Sequence, residues 1–331
     1  MEVYEYKSWQ TINLPAVSGD TWFRILDHYV STNPDNVLTG VVYDGLVLDG
    51  FGIQNLNEIL SQYVIPADIT FTSSVQTDNS THFIFYIYYT QDDWLTWTYD
   101  QIIITYDWSY EIRAQAVLSE PIVNTVDYRQ FFLYSVKPAT PDVQQTIVVT
   151  INNIVINSFQ ISGYTCYNYV YDLNDYTFTN IDSTNYTLRI GGSFYSVKNT
   201  CNKYCIYYLN QYGGWDSMLF NGRELESDNL SRLSYKKNYI ANSLDFNKVD
   251  YLTTLNETWS LNTSFLTDSQ SSRMINLMGS NRLYIHDLET GVIKPINITN
   301  SKCERKTYKN QGRKMSVYTI EVAASQPKYR V

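Results

Sequence analysis

A chain of 331 residues with 44% hydrophobic residues can hold two or three domains, each with its own core, and is not broadly disordered. It carries 31 Tyr, 13 Phe and 7 Trp against 3 His and 4 Cys, so groups for acid–base, thiol or metal chemistry near neutral pH are scarce. Binding or assembly is expected before catalysis. The formal charge of −9 is unevenly placed: residues 1–220 carry 8 Lys and Arg against 22 Asp and Glu, and residues 221–331 carry 16 against 11. An acidic body with a basic end suits contact between copies, although two domains of ordinary surface charge would show the same split.

Tyr favours the pleated, half-buried surface of a sheet, so strands are expected throughout. Residues 1–14 read as an opening strand, and Asn33-Pro34-Asp35-Asn36 as a turn. Val37 to Leu48 reads as a strand pair broken at Asp44-Gly45, a hairpin dipeptide. Leu56, Ile59, Leu60 and Tyr63 share one helical face ahead of Pro66 and predict a short helix over 55–63. Strands are expected at 69–75, 81–90, 96–105 and 110–118, completing one β-sandwich. Lys137-Pro138-Ala139-Thr140-Pro141 reads as a linker, or as a loop inside one larger β domain. Strand candidates at 146–151, 154–161, 164–171, 186–190 and 204–209 have the spacing of an immunoglobulin-like sandwich.

The last third changes character. Thr267 and Gln270 match a capping box, Met274, Leu277 and Met278 share a helical face, and Gly279 suggests a left-handed stop. Strands follow at 283–288 and 292–299. A cationic hairpin is expected to pair 303–309 with 315–322, and Ser325 to Val331 reads as a flexible arm. The expected fold class is mainly β and multidomain: a β domain over 1–118, an immunoglobulin-like β-sandwich over 119–220, and a small α+β unit over 221–331.

Met1 to Lys7 lacks a basic stretch leading into an apolar one, and the most apolar run, Phe83 to Tyr89, is far shorter than the about 18 residues of a membrane helix. A chain made in the cytosol, without a membrane anchor, is expected. The six N-x-S/T sequons then reflect Asn- and Thr-rich composition. Cys166, Cys201, Cys205 and Cys303 would have to converge from three segments to hold zinc, and free buried thiols are the simpler reading. His28, His82 and His286 fall in no metal or catalytic motif, and Gly191-Gly192 and Gly213-Gly214 read as turns rather than phosphate cradles. No cofactor, metal site or catalytic residue is expected. Trp94, Trp97 and Trp108 lie among Asp92, Asp93, Asp100 and Asp107, the ingredients of a glycan contact or, with a carboxylate pair, of a glycan hydrolase. Aromatic packing with Asp at strand ends accounts for the same residues. Arg305, Lys306, Lys309, Arg313 and Lys314 make the candidate subunit interface, facing an acidic neighbour. The overall acidity argues against sequence-specific nucleic-acid binding.

The segment Tyr204-Cys205-Ile206-Tyr207-Tyr208-Leu209-Asn210-Gln211-Tyr212-Gly213-Gly214-Trp215-Asp216-Ser217 resembles a stretch of virion structural proteins from Bacteroidetes phages, including crAss-like phages with short tails. Thr258 to Asp268, Leu283-Tyr284-Ile285, Pro295 to Thr299, Lys306 to Asn310 and Tyr318 to Val322 fit the same pattern. The resemblance spans about residues 204–331. It implies a tail or head-to-tail ring subunit through which DNA passes, made in the bacterial cytoplasm and residing in the virion. Its partners would be further copies of itself and other tail or portal-associated proteins. A receptor- or glycan-binding tail protein is the alternative. In either setting Tyr212 and Trp215 are expected to brace a domain junction.

Overall fold

The computed structural model describes residues 2–5, 21–30, 34, 39–47, 66–78, 82–90, 98–105, 116–138, 143–163, 165–236, 248–300 and 316–330. The fold is mainly β, built from several sheets with one α-helix among the described residues.

The first strands are β1 (Glu2–Glu5), β2 (Thr21–Leu26), β3 (Val41–Val47), β4 (Ser74–Asp78), β5 (His82–Thr90) and β6 (Thr98–Thr105). Five of them form a sheet in the order β1-β6-β5-β2-β3. Phe23, Ile25, Phe85 and Ile87 are buried within it. The break expected at Asp44-Gly45 does not occur, because β3 runs through both residues and pairs along β2. Arg24 explains this: its Nε and Nη2 donate to the two Asp44 carboxylate oxygens at 2.8 and 3.0 Å. A bidentate cross-strand pair holds the dipeptide extended, overriding its turn preference. The strand expected at 69–75 begins only at Ser74, and the helix expected over 55–63 lies outside the described residues.

Next come β7 (Ala116–Val117), β8 (Thr125–Asp127), β9 (Phe131–Lys137), β10 (Gln145–Ile151), β11 (Ile154–Ile161), β12 (Cys166–Asp172), β13 (Tyr186–Ile190) and β14 (Ser193–Lys198). They complete two facing sheets, β11-β10-β13-β14-β8 and β4-β12-β9-β7. Phe132, Tyr134, Val149, Ile151, Leu188 and Val197 share the core between them, so this part is a β-sandwich. β4 and β7 come from chain ahead of residue 118 yet pair into it. β9 before the 138–141 segment and β10 after it belong to the two sheets of the same sandwich, so no domain boundary falls between them. Asn152 and Asn153 both have positive φ, 48° and 66°, and close a two-residue hairpin between β10 and β11. Gly191-Gly192 does the same between β13 and β14.

The last part contains β15 (Tyr204–Leu209), β16 (Trp215–Phe220), β17 (Glu224–Lys236), β18 (Lys248–Asn262), α1 (Asp268–Met278), β19 (Leu283–Asp287), β20 (Val292–Ile298), β21 (Thr319–Ala324) and β22 (Lys328–Arg330). The sheet order is β16-β15-β19-β20-β21-β18-β17, with β22 added on β18. Thr267 caps α1 reciprocally with Gln270, as the sequence predicts, and Met274 and Leu277 are buried in the core beneath it. Gly279 is not left-handed: its φ is −89° and its N–H bonds the carbonyls of Ile275 and Leu277, so the helix ends by ordinary local bonding. The C-terminal arm is not free either, since Lys328–Arg330 pairs with Thr253–Leu255. The cationic hairpin falls largely on residues outside those described.

β15 is the strand that both remaining cores share. All six of its residues are buried. Tyr204, Ile206 and Tyr208 pack with α1, whereas Cys205, Tyr207 and Leu209 pack with Trp215 and with Leu133 and Val170 of the sandwich. Trp215, fully buried, sits where β9 and β12 meet the larger sheet. Truncating it removes packing from both sides of the contact. Trp215→Ala is expected to cost about 3–5 kcal/mol of unfolding free energy in a urea titration; a loss below 1 kcal/mol would contradict the packing described.

Candidate functional site

Two places concentrate polar side chains with a defined geometry: the turn that follows β15, and the long ribbon of β17 and β18. The turn is tied by one side chain. Asn210 Oδ1 accepts the N–H groups of Tyr212 and Gly214 at 2.9 and 3.0 Å. Its Nδ2 donates to the Leu118 carbonyl and to Asp216 Oδ2, both at 2.7 Å. Gly213 takes the left-handed φ of 78°, and a Cβ on Gly214 would lie 2.8 Å from the Leu118 backbone. Both glycines are therefore required by this turn. Ser135 Oγ accepts the Trp215 N–H at 2.8 Å and donates to Asn168 Oδ1 at 2.6 Å. Gln130 Nε2 donates to Ser217 Oγ at 3.1 Å. The Asn-x-Tyr-Gly-Gly-Trp-Asp-Ser stretch thus has a structural task at each named position, Tyr212 packing beside Leu118 and Cys166.

Asp216 is the chemically distinctive member. Burial pushes its carboxyl up to about 7, against the Asn210 amide and the Glu120 N–H, which favour the carboxylate. A carboxyl titrating near neutrality can serve as a general acid or base. This one is 1% exposed and enclosed by its hydrogen-bond partners, so it reaches no substrate in this state. Tyr207 makes a second buried link. Its hydroxyl accepts the Phe131 N–H at 2.9 Å and lies 2.9 Å from His286 Nδ1. Burial holds the His286 pKa below the ordinary imidazole value. The neutral ring can then accept the Tyr207 proton, joining β9, β15 and β19.

Asp127 is buried but behaves oppositely. Desolvation raises its pKa, yet bonds from Arg129 and Thr200 outweigh it and leave the carboxyl below its usual value. Arg129 Nε and Nη2 reach the two carboxylate oxygens at 2.9 and 3.1 Å, and Arg129 Nη2 also donates to the Asn202 carbonyl at 2.8 Å. This pair fastens β8 to the strand entry at 199–203 and leaves no open coordination position.

β17 and β18 form a ribbon of 13 and 15 residues. At its root a cleft of about 390 Å³ is lined by Lys203, Glu226, Asp228, Glu257, Trp259 and Lys294, among others. Lys203 pairs with Glu226 at 2.8 Å, and Glu257 receives both Lys294 and Lys328, at 2.6 and 2.5 Å. Hydrogen bonds from these two lysines hold the Glu257 carboxyl below its usual value. Lys294 also lies 5.6 Å from the Trp259 ring centre. The lysines of the cleft are already neutralised, so it has little charge left for an anionic ligand.

The candidate interface residues Arg305, Lys306, Lys309, Arg313 and Lys314 lie outside the described residues, as do Trp94, Trp97 and Trp108 with Asp92, Asp93 and Asp107. Cys166 and Cys205 are buried, but Cys201, expected as a buried thiol, is exposed. Its φ of 53° and its position before β15 turn it away from the core that receives Cys205. No group of three or more metal-ligating side chains occurs among the described residues, nor any helix long and apolar enough to cross a membrane. No protein-family model matches the chain, and comparison with curated proteins gives no match.

Asp216 predicts a specific pH dependence. Its folded pKa lies above the unfolded value of about 3.9. Its contribution to stability is therefore full below that value and is lost as pH rises through about 7. Asp216→Asn keeps an acceptor for Asn210 and Glu120 without the charge. In thermal melts from pH 5 to 8, wild type is expected to lose roughly 3 kcal/mol relative to the variant, at about 1.4 kcal/mol per pH unit up to about pH 7. Parallel curves would contradict a buried, proton-holding carboxyl.

Proposed function

We propose that this chain is a structural subunit of a bacteriophage tail, assembling into a ring in the tail or head-to-tail region through which DNA passes, with no catalytic step of its own. The observation that carries the proposal is the β17–β18 ribbon. Leu225, Leu230 and Leu233 are about half exposed along it, as are Tyr235 and Tyr251. β18 also takes β22 and β21 beside it from Thr253 to Asn262, but Leu233–Lys236 with Lys248–Leu252 is two-stranded among the described residues, and such a ribbon with apolar side chains in water is marginal by itself and gains stability when a partner covers it. The resemblance of residues 204–331 to phage virion proteins supports the same reading and supplies its biological setting. The buried polar groups also favour it: Asn210, Asp216, Asp127 and His286 are engaged in holding elements together. In this reading the protein is made in the bacterial cytoplasm and functions in the virion, beside other tail or portal-associated proteins. The uneven charge of the chain lets one copy meet the next heterologously, basic end to acidic body.

Electron microscopy of the purified chain at high concentration tests this. Closed rings are expected. A variant whose ribbon is shortened by replacing 233–252 with a short Gly-rich turn should keep the circular-dichroism spectrum of the sheet but form no rings. Full-length protein that stays monomeric at every concentration, or rings that persist without the ribbon, would overturn the proposal.

A further inference from the structure

The outer edge of β17, in the ribbon on which the ring reading rests, carries a further pattern in its backbone edge and charges. Among the described residues β17 pairs only with β18, and none of them forms a strand beside its other edge. It is 13 residues long, against a usual five or six, and contains no proline. Sheet edges of this length are normally blunted by proline, inward charges or a covering element, because their free N–H and C=O groups template another strand. From Leu225 to Leu233 every residue is exposed. Leu225, Leu230, Leu233 and Tyr235 keep 52%, 56%, 49% and 49% of their surface in water.

The sequence of this edge is self-complementary. Its first half is acidic, with Glu224, Glu226 and Asp228, and its second half is basic, with Arg232 and Lys236. Laid antiparallel on itself about Leu230, the strand places Glu224 opposite Lys236, Asp228 opposite Arg232, Leu225 opposite Tyr235, and Leu230 opposite its own copy. Each of these pairs falls on one face of the sheet, because antiparallel partners point the same way. A parallel pairing in register would instead set Glu224, Glu226 and Asp228 against themselves. Opposite charges and apolar side chains directly across strands are the contacts that stabilise a sheet, and like charges there oppose it. Arg232 is held loosely for the exchange: among the described residues it pairs with Asp250 at a long 3.8 Å, with both side chains exposed.

We infer that β17 is a two-fold docking edge for a second copy of this chain, pairing antiparallel with β17 of the partner about Leu230 and joining two sheets into one. This contact is isologous, so it cannot itself close a ring of many subunits. Combined with heterologous ring contacts it gives two rings stacked face to face; without them it gives a dimer. The inference therefore stands whether or not the ring reading does.

Sedimentation equilibrium of the full chain, with Asp228→Arg, Arg232→Asp and the double exchange, tests it. Wild type is expected to sediment as a dimer of the 38.5 kDa chain or as multiples of that dimer. Either single exchange puts like charges across the two-fold axis and should weaken self-association at least tenfold. The double exchange restores opposite charges and should recover it. These residues are exposed, so unchanged thermal melts will show that the variants fold. A monomeric wild type, or single variants that associate as tightly as wild type, would overturn the inference. Wild-type rings of a single layer, or double-layered rings that persist in Asp228→Arg, would overturn it while leaving the tail-ring proposal intact. Loss of association in the singles without recovery in the double would also overturn it, since the pairing register would then be wrong.

Discussion

The structure depends on a strand that has no solvent face. β15 sends alternate residues into the core beneath α1 and into the core shared with the sandwich, so six consecutive positions must be apolar or aromatic at once. A strand in that position cannot end in an ordinary loop, because Gly213 and Gly214 of the turn are also buried and their backbone groups need partners. Asn210 supplies those partners from one side chain. Gly213 provides the left-handed residue, and Gly214 lets the Leu118 backbone approach. Trp215 and Asp216 then re-enter the same interior. The sandwich and the larger sheet are held to each other through this hairpin.

The polar groups buried along that contact are of two kinds. Asp127 is an ionised carboxylate made affordable by a bidentate arginine and by Thr200, and removing Arg129 would strand a charge. Asp216 is met by uncharged donors, the Asn210 amide, the Glu120 N–H and the Ser119 hydroxyl, and keeps its proton to near neutrality. The Tyr207–His286 bond joins two groups that burial keeps neutral near pH 7. Such groups specify one arrangement of strands, because each is satisfied only when elements far apart in sequence meet. They explain why residues that look chemically active in this chain act as fasteners.

Much of this was readable from the residues. The β class followed from tyrosine and β-branched content, and the Thr267–Gln270 cap placed α1 at its true start. The run Tyr204 to Leu209 read as a strand because it is continuously apolar. Its burial from two sides was not readable, since a single sequence does not say what packs on each face. Asp44-Gly45 misled because local turn chemistry is weaker than the Arg24 pair formed across strands. The ribbon was missed because its strands alternate polar with polar, and periodicity marks strands only when one face is buried. Pairing of the chain end with β18 uses backbone bonds, which leave no side-chain signature. The roles of Asn210, Gly214 and Asp216 depend on Leu118 and Glu120, some ninety residues earlier, and no spacing rule reveals that.

Native-state hydrogen exchange tests the central claim most directly. If the β15–β16 hairpin fastens the sandwich to the larger sheet, the amides of Tyr204–Leu209 should exchange only through global unfolding. Their opening free energy should equal that of Val149 in the sandwich and of Ile320 in the larger sheet, and all should fall together with added denaturant. Opening of 204–220 at a lower free energy than either core, or independent opening of the two cores, would contradict it.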